Sequence, residues 1–201
     1  MVTGASSGIG YELAKVFAEN GFDLILAAED DRLEEVQREL SRVATVDSVQ
    51  VDLASEEGVE ELYHYIHTAT RPVEALALTA GVGAGDEPRR QGEIEKELDL
   101  IDLNVRATVH LCSLVVNDMV RRNRGKILFT SATLAAAMPI TYQVIYEASK
   151  SFLRSFADAV RTELRGTAIS VTTINDGDDP VAVARVSFEA LMADREEVAP
   201  V

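Results

Sequence analysis

Two groups of residues in this chain have the types and spacing to do chemistry. The first is Thr3-Gly4-Ala5-Ser6-Ser7-Gly8-Ile9-Gly10, three glycines in a short turn that runs directly into helical periodicity. Glycines between a strand and a helix permit a tight turn and let backbone N–H groups approach a pyrophosphate, whose charge the helix N-terminus favours. A glycine-rich connector has the same composition, so downstream context has to separate the two. Glu29 and Asp30 follow Gly10 by 19 and 20 residues, where an acidic side chain can accept from the ribose hydroxyls of a dinucleotide. Acids at the start of a helix are the plainer account of that pair.

The second group is Tyr146-Glu147-Ala148-Ser149-Lys150. A tyrosine and a lysine at i and i+4 of a helix share one face. A phenol titrates near ~10 in water, and a neighbouring ammonium favours the phenolate and lowers that value toward neutrality. Such a pair can exchange a proton with a reacting oxygen. Most Tyr and Lys residues one turn apart are nothing more than surface neighbours.

These groups need elements to hold them, and the pattern of the chain supplies them. Ile9, Leu13, Val16 and Phe17 recur at helical spacing before Gly21, which suits a helix C-terminus. Residues 22–28 read as a strand, and Leu33, Val36, Leu40 and Val43 as one face of a second helix behind Glu29-Asp30-Asp31. Residues 49–53 and 73–79 read as strands around a third helix that carries Val59, Leu62 and Ile66, with Ser55 as its N-cap. After a loop over 81–92 come a long helix over 93–123, a strand over 126–131, a helix over 143–164, a strand over 169–174 and a last helix to about 192. Strands alternating with helices predict a single-domain, three-layer α/β fold over 1–201: a doubly wound parallel sheet with helices on both faces. Ligands in such folds lie beyond the carboxyl ends of the strands.

Composition bounds the partners. The chain has 201 residues, 47% hydrophobic and 26% charged, and 19 Lys and Arg against 34 Asp and Glu leave a net charge of -15. That surface repels phosphate backbones and anionic lipid, which excludes nucleic acid and membrane as expected partners. Asp102, Asn104, Arg106 and His110 interrupt the most apolar stretch, so no membrane span is expected. No secretory signal is visible at the start of the chain. Cys112 is the single cysteine, which fits the cytoplasm and offers no metal cluster. His64 and His67 lack a third ligand beside them and are expected on a solvated face.

Taken together and in this order, the Thr3 to Gly10 turn, Val51-Asp52-Leu53, Thr79-Ala80-Gly81, Asn104 and the Tyr146 to Lys150 segment resemble the short-chain dehydrogenase/reductase family. The resemblance runs from residue 1 to about residue 174 and implies a Rossmann-type fold and a nicotinamide-dependent oxidoreductase that interconverts a secondary alcohol and a ketone. It implies Tyr146 as general acid/base, Lys150 as the group that lowers the tyrosine pKa and holds the nicotinamide ribose, and Asn104 as a residue that helps bind a relay water. For the cofactor it implies Gly4, Ser6, Ser7, Gly8, Ile9 and Gly10 around the pyrophosphate, Glu29 and Asp30 at the ribose, Asp52 and Leu53 at the adenine edge, and Ala80 and Gly81 beside the cleft, with Tyr146 and Lys150 completing it. A strand-end acid capping the next turn is the plainer account of Asp52. Glu29 and Asp30 disfavour a 2′-phosphate, so NAD is expected ahead of NADP. The long helices around 98–122 and 143–164 imply a homodimer or homotetramer.

The chain departs from that family in three places. The spacing of the substrate-binding hydroxyl lands on Thr133, while counting from the strand lands on Ala132; Thr133 is the expected residue, with Ser131 second. Only Met1 and Val2 precede Thr3, where a central strand needs about five residues, so the first strand is expected to be cut short. After residue 175 the substrate loop is expected to be missing or shortened. These departures keep a rival open, a non-catalytic cofactor-binding or interaction protein on the same scaffold. A sugar-nucleotide epimerase or dehydratase with the same Tyr and Lys is a third reading.

Overall fold

The computed structural model describes residues 1–69, 71–81, 94–131, 144–175 and 179–198. Its strands are β1 (Val2–Thr3), β2 (Leu24–Ala28), β3 (Val46–Gln50), β4 (Ala75–Leu78), β5 (Gly125–Ser131), β6 (Ile169–Asn175) and β7 (Glu197–Val198). They form one sheet in the order β3-β2-β1-β4-β5-β6-β7, every neighbouring pair parallel. The helices are α1 (Gly8–Glu19), α2 (Arg32–Leu40), α3 (Glu56–Thr68), α4 (Ile94–Ile101), α5 (Thr108–Arg122), α6 (Val144–Glu163) and α7 (Pro180–Met192).

Alternation along the central strands feeds two cores. Leu76, Leu78, Ile127 and Phe129 pack on one side with Leu62 of α3, Leu111 and Met119 of α5 and Ala157 of α6. Ala75, Ala77 and Leu128 pack on the other with Leu13 and Phe17 of α1, Leu33 of α2 and Leu191 of α7. Successive side chains of a strand point to opposite faces, so a strand buried on both reads as a near-continuous apolar run. The architecture is the doubly wound three-layer sheet that the alternation predicts, and each fully buried large side chain contributes about 1.5–3 kcal/mol by leaving water.

Several elements differ in detail. β1 is only two residues long, yet it pairs with both neighbours: Val2 faces Leu26 of β2 and Ala77 of β4. The Met1 amine donates to the Ala75 carbonyl at 2.7 Å, and the Thr3 hydroxyl accepts from the backbone N–H groups of Thr79 and Ala80. A side chain thus extends the pairing that the short strand lacks. β3 spans Val46–Gln50 rather than 49–53. It is an edge strand whose pairing begins at Val46 opposite Leu24, through the polar residues Asp47 and Ser48, before the apolar run Val49, Val51 and Leu53 carries the chain inward past its end. β7 is confined to two residues opposite Thr173 and Ile174.

The helix expected over 93–123 is interrupted. Asp102–Ala107 forms a π-helical segment between α4 and α5, and Asn104 within it is buried. A π segment fits one extra residue into a turn and re-aims the side chains it carries. Ser55 caps α3 as expected, its hydroxyl accepting from the Gly58 N–H.

Candidate active site

At the carboxyl ends of β1, β2, β4 and β5 lies a cleft of about 450 Å³. Its floor is the glycine turn, with Gly4, Ser6, Ser7, Gly8, Ile9 and Gly10 all lining it. Gly4 has φ +64°, a conformation that strains any other L-residue. A Cβ there would sit 2.8 Å from the Ala80 Cα, and one on Gly10 would run into the Gly4 carbonyl and come within 2.8 Å of the Thr79 hydroxyl. The missing side chains therefore let the turn, β4 and the start of α1 close against one another. The Ser7 side chain makes no cap hydrogen bond at the start of α1, so the first N–H groups of that helix are not capped by it. A concave, glycine-built helix N-terminus fits a pyrophosphate.

The far end of the cleft is acidic. Glu29, Asp30 and Asp52 line it with Val51 and Leu53. Asp30 is held in place from two sides, one oxygen accepting from the Ser6 hydroxyl at 2.6 Å and the other from the Arg32 N–H at 3.0 Å. A carboxylate has lone pairs for further donors, so Asp30 stands as an oriented acceptor. Ser6 is buried, and its hydroxyl serves Asp30. Asp52 also does what the plainer reading assigned to it, one oxygen capping the Ala54 N–H at 2.8 Å.

The third wall is α6. Tyr146 and Lys150 both line the cleft, with the Lys150 ammonium 5.4 Å from the Tyr146 ring centre. Lys150 is 5% exposed and donates to the Thr130 hydroxyl at 3.4 Å. Asn104 lies behind them, its carboxamide donating to the Ser149 hydroxyl at 3.1 Å. Gly81 is adjacent: a Cβ on it would meet Asn104 Oδ1 at 3.0 Å and Lys150 Nζ at 3.9 Å. The structure thus brings together the glycine turn, the acidic pair, Asp52, Leu53, Ala80, Gly81, Asn104, Tyr146 and Lys150. Ala132 and Thr133 lie outside the described residues. Ser131, the second choice for the substrate-binding hydroxyl, is buried, its one hydroxyl hydrogen shared between the Ile174 carbonyl at 3.2 Å and the Asn175 Oδ1 at 3.4 Å, and so is turned to β6.

Over residues 1–184 the chain matches the family described as short chain dehydrogenase. It belongs to that family of oxidoreductases. Among curated relatives, the NADP-dependent 3-hydroxy acid dehydrogenase YdfG of Salmonella typhi is 33% identical over 178 residues, 88% of this chain and 71% of that enzyme. Among solved structures, a metagenomic short-chain oxidoreductase in complex with NADP is 27% identical with a TM-score of 0.86, covering 100% of this chain and 93% of that one. Serine dehydrogenase from Escherichia coli is 28% identical with a TM-score of 0.83, over 98% and 94% of the two chains. The first two of these proteins are named for NADP.

In this short chain dehydrogenase, four residues at or beside the cleft have contacts to which the sequence assigned no role. Thr3 and Thr79 tie β1 to β4 at the glycine turn, the Thr79 hydroxyl donating to the Thr3 carbonyl. Thr130 and Ser149 contact Lys150 and Asn104. Thr130 offered one signal, a hydroxyl at the carboxyl end of a buried strand; Ser149 offered its place between Tyr146 and Lys150. His67, expected to be solvated, is half exposed and lies 3.6 Å from Asp118. No group of three or more His, Cys, Asp or Glu side chains converges among the described residues. No helix among them is long and apolar enough to cross a membrane.

Proposed function

We propose that this short chain dehydrogenase interconverts a secondary alcohol and its ketone, with Tyr146 as the general acid and base. The observation that carries the reading is the Lys150 ammonium 5.4 Å from the Tyr146 ring centre, in the same cleft as a glycine-built helix N-terminus. When bound, the nicotinamide supplies hydride to the carbonyl carbon or accepts it from the alcohol carbon. Tyr146 passes its phenolic proton to the carbonyl oxygen in reduction and takes it back in oxidation. The ammonium beside it stabilises the phenolate, so the proton leaves at a lower cost than from an isolated phenol. The substrate-binding hydroxyl proposed at Thr133 would donate to the substrate oxygen and orient it toward Tyr146.

For the cofactor, the α1 N-terminus and the glycines would hold the pyrophosphate, Asp30 and Glu29 the ribose, and Lys150 the nicotinamide ribose. We take NAD as the preferred form. Relatives named for NADP favour the phosphorylated cofactor. Against that, Glu29, Asp30 and Asp52 would face the added phosphate, while Lys150 is the only cation among the described residues lining the cleft. Like charges at contact distance cost several-fold to many-fold in affinity even near the surface. The lone buried Cys112 suits a reducing compartment such as the cytoplasm.

Conversion of Tyr146 to Phe tests the reading. Assayed on a panel of small alcohols and ketones, Tyr146→Phe is expected to lose about 100-fold or more in kcat while binding cofactor with unchanged affinity. Equal turnover in the variant would contradict the proposal, and binding without turnover in the wild type would favour a non-catalytic cofactor-binding protein.

A further inference from the structure

Ser149 sits between Tyr146 and Lys150, and its hydroxyl bonds to the Tyr146 backbone and to Asn104. Its hydroxyl lies 2.7 Å from the Tyr146 carbonyl oxygen and 3.1 Å from Asn104 Nδ2, and both Ser149 and Asn104 are buried to within 2%. A backbone carbonyl can only accept, so the one hydroxyl hydrogen goes to Tyr146. That leaves Ser149 with lone pairs alone toward Asn104, and a lone pair demands the NH₂ end of the carboxamide. Oδ1 must then occupy the other position, the one 3.0 Å from where a Gly81 Cβ would stand, a point that the Lys150 ammonium approaches to 3.9 Å.

We infer that Ser149 is a positioning residue: it fixes which end of the Asn104 carboxamide faces the space beside Gly81 and Lys150, keeping an acceptor there. With the amide reversed, an NH₂ donor would face a lysine ammonium across that space, and two oxygens would face each other at Ser149. A serine bonded back to the preceding turn of its own helix is common; the bond onward to a buried amide in a π segment of another element is what gives this one a role. The effect on catalysis rests on the reaction proposed above, but the effect on the amide does not.

The test uses ¹⁵N-labelled wild-type chain, with the Asn104 side-chain NH₂ signals identified by their loss in Asn104→Ala. In Ser149→Ala these signals are expected to shift and to exchange with water at least about tenfold faster, as for a buried donor that has lost its acceptor. In turnover assays, Ser149→Ala is expected to lower kcat about tenfold with cofactor affinity unchanged. Ser149→Thr, which keeps the hydroxyl, restores most of both. Added to Asn104→Ala, Ser149→Ala should cost nothing further, because the two act as one unit. Unaltered amide signals in Ser149→Ala, or independent losses that multiply in the double variant, would overturn the inference. A wild-type chain without turnover would overturn the proposed reaction, and the amide comparison would still decide the Ser149–Asn104 contact.

Discussion

A cation as buried as Lys150 has to be held by acceptors, and the Thr130 hydroxyl is one of them. Its charge beside Tyr146 is what would bring a phenol into a useful range, so Lys150→Met has a predicted sign as well as a size. In the proposed mechanism alcohol oxidation needs the phenolate, and its rate would rise with pH through the tyrosine pKa. Without the ammonium that rise moves to higher pH, and kcat near neutrality falls about 100-fold or more; a pH–rate profile of the two proteins checks both. Cys112 illustrates the opposite use of burial. Burial pushes its thiol up to about 12, so it stays protonated across the working range. It is predicted to resist thiol reagents in the folded chain and to react promptly in urea, and rapid labelling of the native protein would contradict this. Tyr146 and Lys150 were legible because two reactive types one helical turn apart are a pattern in one dimension. Ser149 and Thr130 were not, since their importance lies in contacts with residues about 45 and 20 positions away.

Elements carry the glycine turn and the π segment. Gly10 is the tightest point of that turn, where α1 passes the Gly4 carbonyl and the Thr79 hydroxyl. Gly10→Ala would push backbone against backbone, which relaxes poorly, and should cost roughly 1–3 kcal/mol together with cofactor affinity. Thermal unfolding of the variant should show a melting point lower by several degrees; an unchanged melting point would mean the turn is looser than described. The turn was readable because glycine spacing before a helical period is a local signal. The π segment was not, because a six-residue segment leaves hydrophobic spacing close to that of an ordinary helix, and the backbone alone reveals it. The limits of β3 differ for a related reason: apolar density marks burial, whereas the ladder also runs through Asp47 and Ser48, which are not buried.

At the scale of the whole molecule, alternation of strands and helices was enough to predict the sheet, since parallel strands require crossovers and crossovers cover both faces. What alternation does not reveal is which helix face is left over. Ile94, Leu98 and Ile101 form a stripe along α4, with Ile94 61% and Leu98 51% exposed, and Phe152 of α6 is 44% exposed. Aliphatic residues at i, i+4 and i+7 make one face, and we propose it as part of the interface of the homodimer or homotetramer. Leu98→Asp is predicted to yield a monomer by light scattering after gel filtration, with the wild type larger; a wild-type monomer would contradict the proposed assembly.

The central claim is that this cleft holds a nicotinamide dinucleotide, and its most direct test is a titration of the folded chain with NADH and with NADPH. The chain has no tryptophan, so the fluorescence of the reduced cofactor reports binding with little interference. Saturable binding is predicted, tighter for NADH than for NADPH and weakened by Gly10→Ala. Tighter binding of NADPH would overturn the role given to Glu29 and Asp30, and failure of a folded chain to bind either cofactor would contradict the account as a whole.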